Sequence, residues 1–474
     1  MLTLLALACA GSTDLDSAAA PSEDTDLSDS GESHGSGEGH DSGEGHDSGD
    51  TGEEGTGSVE LTAVSTTLSS EVAAVVTVTW QSNRSDDGAV QFGVGEAVIG
   101  QATAVLSDGV WEAVLVGIPA DTTGWFSIGH GESWSKPESI TTGTTSVLPP
   151  PVEVSGDLAG FTLTTFMAPG SGRLNPVILN GQGEPVWWHT YDGEREGFSS
   201  RTVLAPDGQS IYYNIFHITL GEPRSFAGIV KASLDGETVE AIELPENHHD
   251  FLIHDDGTIA TLMFDRREMD GQNVAGDAIV EVAPDGTQTE IWNAWDHLTW
   301  DNTGTVTGSG SFWTLANSLE YDADRDQYLM SARDRNSIIA VDRSTGAVEW
   351  ILGGADGTLS LTDSFVGQHG FARDGDDLLV FDNRGAGEVS RVIRYTIDAD
   401  AGTATTDWIH NNEPSLFTEF FGDVVPQPDG SLLLAWGMSG RLSVLDSDRN
   451  TTSVRAWTNG SEFGFATQED TLVE

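Results

Sequence analysis

Phe251-Leu252-Ile253-His254-Asp255-Asp256-Gly257-Thr258-Ile259-Ala260-Thr261-Leu262-Met263-Phe264 is an apolar strand, a polar Asp-Gly turn and a second apolar strand. That order is the signature of a β-hairpin. The unit returns four times: Val203-Leu204-Ala205-Pro206-Asp207-Gly208 into Ile211-Tyr212-Tyr213; Leu319-Glu320-Tyr321-Asp322-Ala323-Asp324 into Tyr328-Leu329-Met330; Phe371-Ala372-Arg373-Asp374-Gly375 into Leu378 to Phe381; and Val424-Val425-Pro426-Gln427-Pro428-Asp429-Gly430 into Leu432 to Trp436. A second pair of strands follows each, as in Ile279-Val280-Glu281-Val282 before Asp285-Gly286 and Ile291-Trp292. A looser copy comes first: Phe161 to Phe166, Pro176 to Leu179, then Val186-Trp187-Trp188. Four strands in a repeat of about 50 to 70 residues make one propeller blade. The reading is an all-β chain whose residues 148–474 form a six-bladed β-propeller. The recurrent Trp187, Trp188, Trp292 and Trp350 at strand ends are read as packing between blades.

Residues 58–147 carry shorter alternating strands, Val72 to Trp80, Ala89 to Val94 and Trp111 to Val116, and read as a small β-sandwich. Within it, Leu115-Val116-Gly117-Ile118-Pro119-Ala120-Asp121-Thr122-Thr123-Gly124-Trp125-Phe126-Ser127-Ile128 resembles the corner of a fibronectin type III domain, with Trp125 where tyrosine is usual. Residues 10–57 are Ser, Gly, Asp, Glu and His with almost nothing to bury, and are expected to be a disordered, self-repelling acidic linker. Its His34, His40 and His46 match no tetrahedral metal spacing. Residues 1–9 read as the remnant of a lipoprotein signal. The sole cysteine, Cys9, ends Leu5-Ala6-Leu7-Ala8-Cys9, which resembles a lipobox; acylation there would anchor an exported protein to a membrane. Ala10 rather than Asp follows the cysteine, so the bacterial outer membrane is the expected location, on its periplasmic or outer face. No Lys or Arg precedes Arg84, so a longer start, with the charged segment that signal peptides carry, is expected.

The chain sets 76 Asp and Glu against 20 Lys and Arg, a net charge of −56. Such a field repels phosphate backbones, which excludes nucleic acid as a partner. Asp322, Asp324 and Asp326 alternate as in a calcium loop, yet the glycine and closing glutamate of that loop are missing, so no metal is expected.

The innermost strand of each blade lines a central channel, so equivalent repeat positions meet near one axis. Just ahead of the first turn stand Ser199-Ser200-Arg201, His248-His249-Asp250, Asn317-Ser318, Gln368-His369 and Gly422-Asp423. After it come Asn214 and His217, Asp265-Arg266-Arg267, Arg333-Asp334, Asp382-Asn383-Arg384 and Ser439. Arg266, Arg333 and Arg384 at matching positions, in a chain so poor in cations, suggest an anion pocket.

Asn247-His248-His249-Asp250, Asn317-Ser318-Leu319-Glu320-Tyr321-Asp322, Ser331-Ala332-Arg333, Trp350-Ile351-Leu352-Gly353-Gly354 and Gly367-Gln368-His369 with Phe381-Asp382-Asn383 occur in the order that resembles the arylsulfotransferase propeller family. The resemblance spans roughly 300 residues. It implies transfer of a sulfuryl group from a phenolic sulfate ester to a phenol, with no cofactor. It implies His369 as nucleophile, forming a transient sulfohistidine, with His249 and Arg333 completing the catalytic set. Asn317, His248 and Arg384 are expected to bind substrate. The chain departs from the family pattern at Leu315, where a histidine stands two residues ahead of the asparagine. Leucine neither donates to a sulfate oxygen nor protonates a leaving phenolate, and His297 is the nearby substitute that the sequence offers. The alternative reading is a non-catalytic surface propeller that binds an anionic or aromatic ligand or a partner protein.

Overall fold

A computed structural model describes residues 59–145, 151–167, 174–191, 197–217, 226–307, 310–411, 416–457 and 461–473. The expectations for Cys9 and for the linker of residues 10–57 lie outside the described residues. The first described segment forms two antiparallel sheets. One orders Leu61–Leu68, Val76–Ser82, Val110–Leu115 and Val105–Ser107; the other orders Ala97–Thr103, Gly88–Val94, Thr123–His130 and Ser133–Trp134. Strict alternation in Val76–Ser82 turns Val76, Val78 and Trp80 to one side. They share a core with Phe92 and Phe126 that continues into Phe161, Leu163 and Trp187 of the next region. The two sheets thus sit on the start of the propeller, where Ala120 N donates to Pro185 O at 3.2 Å.

The described residues between 153 and 469 are spread over six further sheets. In five of them the inner edge is Thr202–Leu204, Asn247–Ile253, Ala316–Asp322, Phe371–Asp374 or Asp423–Pro426. The remaining sheet explains why the first repeat looked loose. Its inner edge comes from the other end of the chain: Phe463 pairs with Phe166, and Thr467 with Leu163. At the outer edge of the last sheet, Glu153–Ser155 pairs with Thr451–Ala456. Both ends of the propeller are therefore tied into sheets made by the opposite end, which closes the ring without a free inner edge.

The turns at 254–258 and 427–431 share one hydrogen-bond pattern. His254 N donates to Thr258 O, and Gly257 N to His254 O, both at 2.8 Å, while Asp256 Oδ1 accepts from Thr258 N at 2.9 Å. Gly257 closes this loop at φ +83, where a side chain would be strained. The strand-end tryptophans pack between sheets as expected: Trp187 is fully buried and donates from Nε1 to Leu234 O at 2.9 Å, and Trp350 lies under the Arg373 guanidinium at 5.8 Å.

One sheet carries an insertion that matters for the site. After Gln288–Asn293 come the short helix Ala294–His297 and the strands Thr305–Thr307 and Gly310–Phe312, the latter parallel to Gln272–Val282. Trp313-Thr314-Leu315 then leads straight into the inner strand Ala316–Asp322. Among the described residues no helix is long and apolar enough to cross a membrane.

Candidate active site

The residues ahead of the first turn meet at the axis. Arg201 donates from Nε and Nη2 to Asp250 at 2.8 and 3.0 Å, and from Nη1 to Asp423 Oδ2 at 3.3 Å and Ala466 O at 3.0 Å. Asp250 also accepts from Ser318 Oγ and Leu319 N at 3.2 and 2.9 Å. Burial works against the charge on Arg201, yet Asp250 and then Asp423 hold its pKa above the usual range. Burial pushes Asp423 up to about 6. This floor divides the channel. On its turn side is a cavity of about 590 Å³ lined in part by Phe251, Glu320, Phe371 and Val424, where burial pushes Glu320 up to about 7. His249, Asn317, Arg333 and His369 do not line that cavity.

On the other side, the register of two inner strands slips, between His248 and Phe251 and between Ala316 and Ser318. Such bulges re-aim side chains beside functional sites. The first places His249 at φ +49, an uncommon conformation for a residue with a side chain. Its carbonyl is fixed by Ser200 Oγ and by Asn214 Nδ2, the latter at 2.9 Å. His248 and His249 share a hydrogen bond between their Nδ1 atoms at 2.9 Å. His248 lies fully buried, stacked on Phe264 at 3.8 Å, with Nε2 at 3.1 Å from Asp277 Oδ1. That pair is close but off the line of a hydrogen bond, since both atoms lack a partner by angle. Burial first, then His248, His369 and Arg333, push the pKa of His249 well below the ordinary histidine range. His369 and Arg333 thus lie near enough to His249 for their charges to bear on it.

His369 precedes the inner strand Phe371–Asp374, and its Nδ1 faces two oxygens: Asn383 Oδ1 at 3.0 Å and Gly367 O at 3.1 Å. Both can only accept, so Nδ1 carries the hydrogen and Nε2 keeps its lone pair. Among the described residues nothing occupies Nε2. Burial, and next Arg333, push the His369 pKa down to about 3 against the pull of those two acceptors, so the ring is neutral at any ordinary pH. Asn317 is buried against the same segment, donating from Nδ2 to Gln368 O at 2.8 Å, and its Oδ1 is left without a partner. Arg333 pairs through Nη1 with Asp334 at 2.9 Å, lies over Phe420 at 5.7 Å and leaves its buried Nε unpartnered. A neutral nucleophilic nitrogen near a guanidinium suits an anion with an electrophilic centre.

The structure does not assemble the three-arginine pocket. Arg384 is one residue past Asn383, and its guanidinium is tied to Glu388, with Asp382 at 4.0 Å. Arg266 pairs with Glu246 at 2.7 Å and packs on Phe264. A chain with 76 acidic residues supplies a carboxylate to most arginines, and repeat position alone could not show which carboxylate each one meets. His297 is likewise no substitute at Leu315: it is exposed and stacked on Trp292 in the outer strand Gln288–Asn293. Leu315 is buried with Phe264, Ala275 and Phe312 at φ +43. Asp277, unremarked in the sequence, pins both neighbours of Leu315, accepting from Thr314 Oγ1 and from Ala316 N at 2.6 Å. Asn383 was legible as part of a motif but not as a partner of His369. Among the described residues no group of three or more His, Cys, Asp and Glu is arranged to hold a metal ion.

The model of the arylsulfotransferase (ASST) family matches residues 162–471. The protein belongs to the arylsulfotransferase family, and that membership supports arylsulfotransferase function in general. No curated protein sequence matches the chain. Among solved structures, the nidogen/laminin complex is similar at 12% identity over 65% of this chain and 99% of that chain, with a TM-score of 0.41. A protein of unknown function from Bacteroides caccae is similar at 13% identity over 65% and 98%, with a TM-score of 0.43. Streptogramin B lyase is similar at 11% identity over 65% and 85%, with a TM-score of 0.39.

Proposed function

We propose that the protein moves a sulfuryl group from a phenolic sulfate ester to a phenol through a sulfohistidine at His369. The observation that carries this reading is the buried, neutral His369, whose Nδ1–H is held by Asn383 and Gly367 while Nε2 stands open beside Arg333. In the first half-reaction the Nε2 lone pair forms a bond to sulfur. The S–O bond to the aryl group breaks and its electrons leave on the phenolate, which takes a proton from solvent. The sulfurylated ring keeps its Nδ1 proton, so its positive charge balances the negative sulfuryl oxygens. Arg333, whose buried Nε is unpartnered, would donate to those oxygens, where charge spreads in a loose transition state. In the second half-reaction an acceptor phenolate attacks sulfur, the N–S bond breaks, and the electron pair returns to Nε2.

The non-catalytic reading retains one supporting observation, the apolar Leu315 in its buried Phe264–Phe312 setting. Release of 4-nitrophenol from 4-nitrophenyl sulfate, dependent on added phenol, tests the enzyme reading against it. Attachment to the outer membrane through Cys9 is part of the proposal and rests on the Leu5-Ala6-Leu7-Ala8-Cys9 pattern.

A further inference from the structure

We infer that Asn383 is the positioning residue that selects the reactive tautomer of His369 and keeps its Nδ1 proton in place through both half-reactions. The inference rests on the proposed role of His369. Imidazole has two neutral tautomers, and which nitrogen is bare depends on what the other one bonds to. Asn383 resolves that choice because its own amide cannot turn. Its Nδ2 donates to Phe421 O at 2.7 Å and Thr418 O at 2.9 Å, which leaves Oδ1 as the only end that can face His369. Turning the amide over would set an NH2 group against the His369 N–H and a carbonyl oxygen against two others. The residue is almost wholly buried, so water does not replace either contact.

The anchor is itself held from several sides. Ser390 Oγ donates to Asn383 O at 2.9 Å and accepts from Thr418 N at 3.0 Å, and Thr418 Oγ1 accepts from Met438 N at 2.9 Å. The segment that fixes Asn383 also carries Phe420, under Arg333, and Phe421, whose ring lies 6.3 Å from that of His369. Asn383 therefore ties the nucleophile to the strand-end loop that supports the guanidinium. The chemical consequence reaches both steps. With Nδ1 protonated, Nε2 attacks with a free lone pair. Once sulfurylated, the ring remains an imidazolium, from which the N–S bond breaks readily. A ring that lost this proton would hold the anionic sulfuryl group on an uncharged imidazole, whose nitrogen would have to leave as an imidazolate, a poor leaving group.

Two variants test the inference, Asn383→Leu, close in size without the acceptor, and Asn383→Ala. The first readout is the His369 imidazole in a long-range 1H–15N NMR spectrum of ring-labelled protein, which reports the tautomer whether or not the protein turns over. The parent is expected to be wholly Nδ1-protonated, and both variants, left with Gly367 O as the one acceptor for Nδ1, to show a measurable share of the Nε2-protonated form. The second readout is the pre-steady-state release of 4-nitrophenol, expected to fall about 100-fold because the attacking atom is no longer aimed, while calorimetric binding of inorganic sulfate stays within about twofold of the parent. A variant that loses both sulfate binding and spectral dispersion has misfolded, and the tautomer of the other variant then decides. An Nε2-protonated His369 in the parent, or a His369 that stays wholly Nδ1-protonated in a folded variant, overturns the inference. A parent that releases no phenol overturns the sulfotransfer reading instead, and the NMR result still stands or falls alone.

Discussion

Arg201 and Asp250 meet across the channel floor as a two-bond pair, Nε to Oδ1 at 2.8 Å and Nη2 to Oδ2 at 3.0 Å. Asp423 adds a third contact from another sheet. Removing the guanidinium leaves two buried carboxylates facing each other, so Arg201→Met is expected to cost about 3 to 5 kcal/mol of stability. The sign with pH follows from Asp423, whose folded pKa is raised to about 6. A carboxyl raised on folding stabilises the native state below its unfolded pKa and loses that contribution as pH rises through the folded one. The penalty in the variant is therefore larger at pH 8 than at pH 5, which denaturant titrations at the two values measure.

The pH dependence of the first half-reaction separates this site from an ordinary histidine. The attacking form is neutral, and with the His369 pKa lowered to about 3 that form dominates at every pH well above it. His249 is lowered too. Stopped-flow release of 4-nitrophenol is expected to stay level from about pH 8 to about pH 5. A fall with a midpoint near 6.5, the value of an unperturbed histidine, contradicts the assignment.

Leu315→His restores the residue type of the family pattern at a backbone angle of +43°, a region that histidine visits more readily than leucine does. The variant is expected to speed sulfuryl transfer about 100-fold, the usual contribution of a positioned acid or donor. An unchanged rate shows that the channel is already shaped without that group.

Much of the architecture was legible because it repeats. The Asp-Gly hairpins, the strand-end tryptophans and the polar residues ahead of each first turn follow a fixed spacing, and one strand's period turns them to a common axis. Arg201, Asp250, Ser318 and Asp423 came together on that logic. The inner strands Glu462–Phe463 and Thr467–Glu469 were not legible, because they complete a sheet begun some 300 residues earlier and no local pattern marks such a pairing. Arg384 misled for a related reason. Its repeat position is equivalent to that of Arg333, but Glu388, four residues on, claims its guanidinium. Asn383 stayed hidden because its value depends on which way an amide faces, and that is settled by Thr418 and Phe421 from the next repeat.

Cys9→Ala is expected to move the protein, produced in a Gram-negative host, from the detergent-extracted membrane fraction to the soluble periplasmic fraction, since acylation needs the thiol. Equal membrane pelleting of parent and variant contradicts the anchor.

The central claim is a covalent sulfuryl group on His369. The most direct test is to incubate the protein with 4-nitrophenyl sulfate without an acceptor, quench it under mildly basic conditions, digest it and weigh the peptide that carries His369. One added sulfuryl mass on that peptide, discharged by phenol and missing from His369→Ala, is the predicted result. An unmodified His369 peptide from protein that has released 4-nitrophenol, or transfer undiminished in His369→Ala, contradicts the account.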